Sequence, residues 1–551
     1  MDWGNSLREL SRGVFFWIPG CLVFFRYQFT SGFDKIMGDA GDARLAIFGH
    51  EHWVQVFRGQ VSWTSPQFFF PAKGVLGYSD TYFLNEVFYA PLRAFGFDAF
   101  LAFQWTLVLL SLVGFVALFV FLRRSFELGT LTCAALSTVF TFANNLYLMS
   151  GHLQLYSVYW LPLILLLIVQ AWMSNRRAAQ AAWSAIAGLL LGLLFFSTYY
   201  IPWFATVSAG IWMLIMMAFR LRSNGARSCV AALKSRLSAA IAFVAGFVVA
   251  MVAFLITYLP VLGSKGGRTY ADAMAFAAHP SDMFNLGIAN YVWGATMRRV
   301  LPFDQLVNGE LSIALTPELV LAALGAAMFV LVRRRSAAVG FVGQVCVACC
   351  ATLFVLIVLP VRFGWGSLWR IPWAVVPGAV GIRAIDRIEI VGSLFAVVAV
   401  GAGLRLLDVR SITSRRLRAL LSCCAAAVLS LMVVAQLNVR SSSLIDRSDE
   451  LQALIVVPTP PVDCVAVYIV DSLPNTVPFY QANIDAMLIS QRVGIPTFNG
   501  YSGQYPNDYA MIYPDAGEYP QQVRAWAAAH HIDSGVCSYD RSSRVWAGPQ
   551  A

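Results

Sequence analysis

The sequence carries little charge. Only 12% of its 551 residues are Asp, Glu, Lys or Arg, whereas 58% are hydrophobic. A soluble domain has about 25% charged residues. This composition, with a mean hydropathy of +0.66, excludes an ordinary soluble protein and indicates a chain that crosses a membrane many times.

Aromatic-basic binding motifs and basic tails are also missing, although the net charge is +10. The positive residues lie between apolar runs, where they set orientation in a membrane. Nucleic acid is therefore not an expected partner, and membrane lipids are. The apolar runs themselves have few ionisable residues, which argues against an ion-coupled transporter.

Apolar runs close to 20 residues long predict about eleven membrane-spanning helices. They cover 12–29, 99–122, 128–149, 155–174, 181–200, 201–219, 238–261, 314–332, 338–360, 389–408 and 418–437. The first run is interpreted as a retained span, with a signal peptide as the alternative. Basic clusters in alternate connections, such as Arg123-Arg124 and Arg333-Arg334-Arg335, predict a cytoplasmic N-terminus and an external C-terminus.

Two long external segments show local order. In the first, residues 43–58 predict a helix, and aromatic, proline-bounded stretches up to residue 91 predict interfacial helices. In the last, residues 465–470 predict a strand, and 483–493 and 520–529 predict helices. The predicted organisation is a transmembrane domain, 1–437, and a small α/β domain, 438–551. In that oxidising location Cys464 and Cys537 are expected to form a disulfide.

The stretch Gly38-Asp39-Ala40-Gly41-Asp42 places two acids directly after the first span. A carboxylate there can act as a general base. Either acid can be this base; the family resemblance described below ranks Asp39 as the base and Asp42 as its assistant. The alternative for Asp42 is capping of the following helix.

Further candidates for acceptor or sugar binding in the same loop are Glu51, His52, Asp80 and Glu86. Oxygen and imidazole ligands suit Mn²⁺ or Mg²⁺, so Asp39, Asp42 and His52 are possible metal ligands. The competing interpretation is ordinary surface hydrogen bonding, with no cofactor required.

Three cationic side chains are candidates for binding a phosphate. Arg383 and Arg387 are one helical turn apart at the outer end of a span, where two guanidinium groups can grip phosphate. The alternatives are snorkelling to lipid headgroups or an ion pair with Asp386. His152, at another outer junction, is either a third contact or a structural residue.

These motifs, in this order, resemble those of the GT-C superfamily of integral-membrane glycosyltransferases. The matching residues are Gly38-Asp39-x-x-Asp42, Gly151-His152-Leu153-Gln154-Leu155, Arg383-x-x-x-Arg387 and the tail stretch 494–503. The resemblance implies a GT-C-like helical bundle, a polyprenyl-phosphate-linked sugar donor, a catalytic acid at Asp39 and inversion at the anomeric carbon.

The sequence thus predicts a multi-pass enzyme of the bacterial inner membrane. It would transfer a hexosyl or pentosyl group to a glycan, lipid or protein acceptor outside the cytoplasm. Two alternatives share the topology: a transporter or flippase of a lipid-linked glycan, and a polysaccharide polymerase or ligase. A non-enzymatic scaffold is a further alternative.

Overall fold

The structure is a computed structural model that describes residues 3–303, 305, 309–332, 340–364, 366–407, 414–472, 477–532 and 534–550. The helices include α1 (Trp3–Phe24), α2 (Arg26–Thr30), α3 (Asp42–Phe57), α4 (Glu86–Ala94), α5 (Ala99–Phe126), α6 (Thr130–Thr141), α7 (Asn144–Leu148), α8 (Trp160–Met173), α9 (Arg177–Ser197), α10 (Tyr200–Ser235), α11 (Leu237–Lys265), α12 (Tyr270–Ala275), α13 (Gly294–Val300), α14 (Pro317–Val332), α15 (Phe341–Val358), α16 (Arg370–Val375), α17 (Ile388–Leu406), α18 (Arg415–Val434), α19 (Arg447–Ile455), α20 (Phe479–Val493) and α21 (Tyr519–Ala529). The strands include β1 (Lys35–Ile36), β2 (Arg362–Phe363), β3 (Gly366–Ser367), β4 (Ile445–Asp446), β5 (Ala466–Val470), β6 (Val536–Asp540) and β7 (Val545–Gln550).

The described residues contain nine helices long and apolar enough to cross a membrane. They are Ala99–Phe126, Thr130–Leu148, Leu153–Met173, Arg177–Ser197, Tyr200–Ser223, Leu237–Lys265, Phe341–Val358, Ile385–Leu406 and Arg415–Val434. A tenth apolar helix, Pro317–Val332, is shorter. The predicted multi-pass helical bundle is confirmed.

The predicted first span, 12–29, is wrong in its bounds. The helix starts at Trp3 and ends at Phe24, and a second short helix follows from Arg26 to Thr30. The first half of α1 carries Arg8, Glu9 and Arg12. These charges explain why α1 is not among the nine helices, although its second half is apolar.

Helices α9 and α11 pack backbone against backbone because glycines face the contact. A Cβ at Gly188 would lie 2.0 Å from the carbonyl oxygen of Phe243, and one at Gly246 would lie 2.1 Å from that of Ala185. Small residues allow such close approach in membrane helices. At the centre of the bundle, α17 packs against α14 and α15 and is buried along most of its length.

The long connection between the first two predicted spans contains the two helices that its sequence predicts. The helix expected at 43–58 is α3, Asp42–Phe57, and the amphipathic piece near residue 86 forms α4. Their location at the membrane interface stays a prediction.

The C-terminal segment also follows its predicted elements. Strand β5 pairs in parallel with β6, and β6 pairs antiparallel with β7, with α20 and α21 alongside. Cys464 and Cys537 form a disulfide across this sheet, with Cα atoms 5.7 Å apart, so the predicted pairing is confirmed. The segment is a small α/β unit.

The chain after residue 437, here called the tail, and the long connection after the first apolar run pair and pack with each other. Strand β1 pairs antiparallel with β4, bringing Ile36 opposite Ile445. Further on, the Phe69 amide donates to the Asn499 carbonyl over 3.1 Å. One buried hydrophobic cluster contains side chains of both segments, among them Phe48, Phe69, Phe498 and Trp526. The domain division at 437/438 stays a prediction, but the tail shares a core with the long connection after the first apolar run.

Candidate active site

The tail holds the Gly38-Asp39 backbone in place. The Gly38 amide donates to the Ser442 carbonyl over 2.8 Å, and the Leu444 amide donates to the Gly38 carbonyl over 3.0 Å. Gly38 has φ +118°, and a Cβ there would lie 2.5 Å from the Cβ of Ala43. Glycine is therefore required for the sharp turn that presents Asp39.

Asp39 lies just before α3, and one of its two carboxylate oxygens accepts backbone hydrogen bonds. Its Oδ1 accepts from the amides of Gly41, at 3.0 Å, and Ala43, at 3.5 Å. Its Oδ2 lies 3.1 Å from where a Cβ on Gly151 would be, so Gly151 leaves room for it. Burial raises the pKa of Asp39, and the charge of Asp42 raises it further. A carboxylate of raised pKa is a stronger base than an ordinary aspartate.

Asp42 does not cap the helix, so the capping alternative is wrong. Gly41 occupies the N-cap position with no side-chain cap bond, and Asp42 is the first helical residue. The Asp42 side chain instead accepts from His152 Nδ1 over 2.7 Å. Asp39, rather than Asp42, accepts the amide of Ala43 in the first turn.

His152 begins a chain of charges that continues through Glu310 to Arg387. Its Nε2 donates to Glu310 Oε1 over 2.6 Å, and Arg387 Nη2 donates to the two Glu310 oxygens over 2.9 and 2.7 Å. His152 also contacts Asp42 in α3, while His152, Glu310 and Arg387 lie before α8, before α14 and directly before α17. The chain of contacts joins elements that are far apart in sequence.

The two central groups are charged. Burial alone would lower the pKa of His152, but its hydrogen bonds to Asp42 and Glu310 outweigh burial and raise it to about 9. Burial would raise the pKa of Glu310, but the contacts with His152 and Arg387 lower it to about 2. At neutral pH the site therefore contains an imidazolium and a guanidinium, each facing carboxylates.

Asp39, His152 and Glu310 line one cavity of about 250 Å³. Its wall also includes Gly38 and residues of the α7 region and of the tail: Tyr147, Leu148, Met149, Ser150, Gly151, Arg440, Ser441, Ser442 and Leu444. The cavity thus places an acid, a cationic side chain and the tail around one space. Glu310 and Arg440 were missed by the sequence interpretation because neither lies in a recognisable motif.

Arg383 and Arg387 contact different side chains. The guanidinium of Arg383 lies 4.6 Å from the ring centre of Phe276, and its side chain is exposed. The residues between them form a 3₁₀ turn, Ile385–Arg387, so the expected spacing of one α-helical turn is wrong. In the described chain the ion-pair partner of Arg387 is Glu310 and not Asp386.

Most of the secondary loop candidates have partners away from the site. Glu51 accepts from Arg93 Nη2 over 3.1 Å, and His52 Nε2 contacts the Trp63 carbonyl at 3.0 Å. Glu86 pairs with His50 in a buried contact. The structure does not bring these three candidates to Asp39, and their roles in binding stay predictions.

Asp80, the remaining loop candidate, is affected by the charges of Asp42 and Arg387. Its Oδ1 accepts from the Tyr199 amide over 3.2 Å. Burial raises its pKa to about 6; the negative charge of Asp42 contributes in the same direction and Arg387 in the opposite one. Asp80 therefore lies within the electrostatic field of the Asp42–Arg387 chain.

The three possible metal ligands, Asp39, Asp42 and His52, have separate partners. Across the residues that the structure describes, no group of three His, Cys, Asp or Glu side chains is arranged to hold a metal ion. His52 is bound to the Trp63 carbonyl, whereas Asp42 is bound to His152. These three residues do not form one ligand set.

Aromatic side chains of the tail cover the turn that carries the two acids. A Cβ on Gly41 would lie 3.3 Å from Tyr480 Cε2 and 3.5 Å from Asp39 Oδ1. The rings of Tyr480 and Tyr501 are 5.8 Å apart, and Phe479 packs against Tyr501 at 6.2 Å. Burial and the charge of Asp42 raise the pKa of Tyr501. An aromatic surface thus borders the carboxylates.

No protein family model and no curated protein matches the sequence. Among solved structures, the chain is similar to the apo oligosaccharyltransferase of Archaeoglobus fulgidus, with 14% identity, a TM-score of 0.46, and coverage of 98% of this chain and 70% of that one. It is also similar to the arabinofuranosyltransferase AftD from Mycobacteria, with 13% identity, a TM-score of 0.43, and coverage of 88% and 31%.

A third similar structure is ArnT from Cupriavidus metallidurans bound to undecaprenyl phosphate, with 10% identity, a TM-score of 0.38, and coverage of 98% of this chain and 94% of that one. These proteins are GT-C glycosyltransferases, the superfamily whose motifs the sequence resembles. At these identities and TM-scores the likeness assigns neither residues nor an activity to this chain.

Proposed function

We propose that the protein is a membrane glycosyltransferase that moves a sugar from a polyprenyl-phosphate carrier to an acceptor hydroxyl outside the cytoplasm. One observation carries the proposal. Asp39, a carboxylate of raised pKa, lines the same cavity as His152, which is linked through Glu310 to Arg387. A base that shares a cavity with a cationic histidine, with a guanidinium behind their common carboxylate, suits a reaction in which a hydroxyl loses a proton and a phosphate departs.

In the proposed reaction Asp39 accepts the proton of the acceptor hydroxyl. The acceptor oxygen forms a bond to the anomeric carbon, and the bond from that carbon to the phosphate oxygen breaks. The electron pair leaves with the polyprenyl phosphate. His152 and Arg387 stabilise the negative charge on the departing phosphate, and the Tyr480–Tyr501 surface supports sugar binding beside the acid.

His152 and Arg387 both lie at the N-terminal ends of candidate membrane-spanning helices, so we place the reaction at one side of the membrane. His152 immediately precedes the candidate span Leu153–Met173, and Arg387 lies in the first turn of Ile385–Leu406. The proposal includes a bacterial inner-membrane location with this side external. It requires no cofactor, and a divalent cation remains a matter for experiment.

The test is sugar transfer by the full-length protein in detergent, with a panel of synthetic polyprenyl-phosphate sugars and cell-envelope fractions as acceptors. Asp39→Asn keeps the shape of the side chain but removes the base, and we expect its rate to fall by about 10²–10⁴-fold. The matched control is Asp34→Asn in the same segment, because Asp34 Oδ1 accepts from the Ser448 amide over 2.9 Å and lies outside the described site.

Full activity in Asp39→Asn would reject the assigned base. Translocation of a lipid-linked glycan in proteoliposomes, without any transfer, would favour a flippase instead. Use of a preassembled glycan and not of a single sugar would favour a polymerase or ligase. Loss of activity in EDTA with recovery in Mn²⁺ would add a metal to the mechanism.

A further inference from the structure

His152 and Arg387, for which the sequence predicts phosphate binding, are both bound to the carboxylate of Glu310. Arg387 Nη2 contacts both carboxylate oxygens at 2.9 and 2.7 Å, and His152 Nε2 contacts one of them at 2.6 Å. A carboxylate and a phosphate offer cationic donors a similar set of anionic oxygens. We infer that Glu310 occupies the phosphate subsite as an internal anion, which a polyprenyl phosphate must displace. This inference rests on the proposed function.

Glu310 lies in the connection between α13 and α14 and not in a candidate membrane-spanning helix. It lies in a 3₁₀ turn, Gly309–Leu311, whereas Arg387 directly precedes α17. The chain after Glu310 is fixed, because Asn145 Nδ2 donates to the Ile313 carbonyl over 3.2 Å. The side chain of Glu310 is 29% exposed, and that of Arg387 only 7%. Arg387 is therefore buried within the protein, whereas Glu310 is more accessible to solvent.

Charge balance supports replacement of one anion by another. Arg387 is buried, and a buried cation without a partner is strongly unfavourable. Glu310 now supplies the negative charge. A phosphate group in the same position would supply at least one negative charge to both His152 and Arg387. Both anions together would repel each other, since like charges in one site disfavour each other's ionisation.

An internal competitor weakens the apparent affinity for the external ligand. If the Glu310-bound arrangement outweighs the open one by about ten to one, the apparent Kd is raised about tenfold. Removing the negative charge of Glu310 should therefore strengthen phosphate binding. A carboxylate that only positions Arg387 for the ligand predicts the opposite, because its loss would disorder the binding groups.

The experiment measures binding to the full-length protein in phosphatidylcholine nanodiscs by microscale thermophoresis. The probes are farnesyl phosphate, farnesol and inorganic phosphate. We expect Glu310→Gln to lower the Kd for farnesyl phosphate by about tenfold and to leave farnesol unchanged. Tighter binding of inorganic phosphate as well would show that the phosphate group alone is recognised. An effect limited to farnesyl phosphate would show that a lipid chain is required at the subsite.

Two further variants keep the result interpretable. Glu318→Gln is the matched control, because Glu318 is a buried carboxylate that accepts from Trp293 Nε1 over 2.7 Å away from the site. It should not change the Kd. In the double variant Glu310→Gln/Arg387→Gln the gain in affinity should disappear, since the cation that Glu310 masks is gone.

Unchanged or weaker farnesyl phosphate binding in Glu310→Gln, with wild-type binding intact, would overturn this inference and leave the proposed function standing. No farnesyl phosphate binding by either protein would overturn both. Tighter binding by Glu310→Gln in a protein that transfers no sugar from any donor would retain the inference as a statement about a lipid-phosphate site and reject the glycosyltransferase.

Discussion

Two histidine–carboxylate contacts in this molecule have opposite protonation states. His50 and Glu86 form a sealed pair between α3 and α4, where burial lowers the pKa of His50 to about 3 and raises that of Glu86 well above its usual value. His152 contacts two carboxylates at the cavity, and its pKa is raised to about 9. The first pair is neutral at pH 7, and the second contact is ionic.

The difference shows that a histidine next to an acid is not sufficient to mark a functional site. His50 has one carboxylate partner and its side chain is 2% exposed, so desolvation decides its state. His152 has two carboxylate partners and is 26% exposed, so the charge of its partners decides. Access to solvent and the number of anions separate the two contacts.

The largest effect is expected for His152→Gln, which tests the difference between the His152 and His50 contacts. This change keeps hydrogen-bonding capacity but removes the positive charge next to the proposed leaving phosphate. Loss of one such electrostatic contact costs about 10²–10³-fold in rate, measured as kcat in the sugar-transfer assay. The same substitution at His50 should leave the kcat of folded protein unchanged; an equal loss at both positions would remove the distinction.

Gly151→Ala should have a smaller effect, of about tenfold on kcat/KM (about 1.4 kcal/mol). Its added Cβ would lie 3.1 Å from Asp39 Oδ2 and would shift the carboxylate. Gly517→Ala is the control, since a Cβ there meets no atom within 4 Å. A wild-type rate in Gly151→Ala would mean that the Asp39 position tolerates displacement.

The pH dependence of unfolding should report the charge of His152. Its folded pKa of about 9 lies above the ordinary value of 6.5, so the folded state binds the proton more tightly. The stabilisation is complete below pH 6.5 and is lost as the pH rises through about 9. Thermal melting of the wild type between pH 6.5 and 9 should show this loss, and His152→Gln should flatten it. A curve that is unchanged by the substitution would contradict the ionic state.

The smallest effect is expected for Glu86→Gln. The raised pKa of Glu86 keeps its carboxyl group protonated, so an amide of the same shape replaces it at a cost below about 1 kcal/mol. Chemical denaturation measures the change, and sugar transfer should be unaffected. A large loss of transfer with normal stability would instead support the sequence-based role of Glu86 in acceptor binding.

Local patterns in the sequence predicted much of the fold. Apolar runs near the thickness of a bilayer indicated the spans, because backbone groups in lipid must be satisfied within a helix. Residue type indicated β5, and the apolar positions of residues 43–58 indicated α3. The first span was misplaced because apolar content alone does not show the break after Phe24.

The candidate site was predictable only in part. Asp39 and Asp42 were selected as a pair and His152 separately, and the structure brings His152 to the pair. Arg387 was selected together with Arg383, which lies over Phe276, whereas Glu310 is the residue that contacts Arg387. The joint role of the two arginines in phosphate binding stays a prediction. No local pattern connects residues 310 and 387.

By itself the sequence determined a multi-pass helical protein with two acids in the connection after the first apolar run, because hydropathy acts locally along the chain. Tertiary structure decided which charges meet. Asp39 accepts the Ala43 amide in the first turn of α3, so Asp42 is available to contact His152. His50 is instead buried against Glu86. Protonation depends on burial and on charges within a few ångströms, and those distances exist only after segments hundreds of residues apart have packed together.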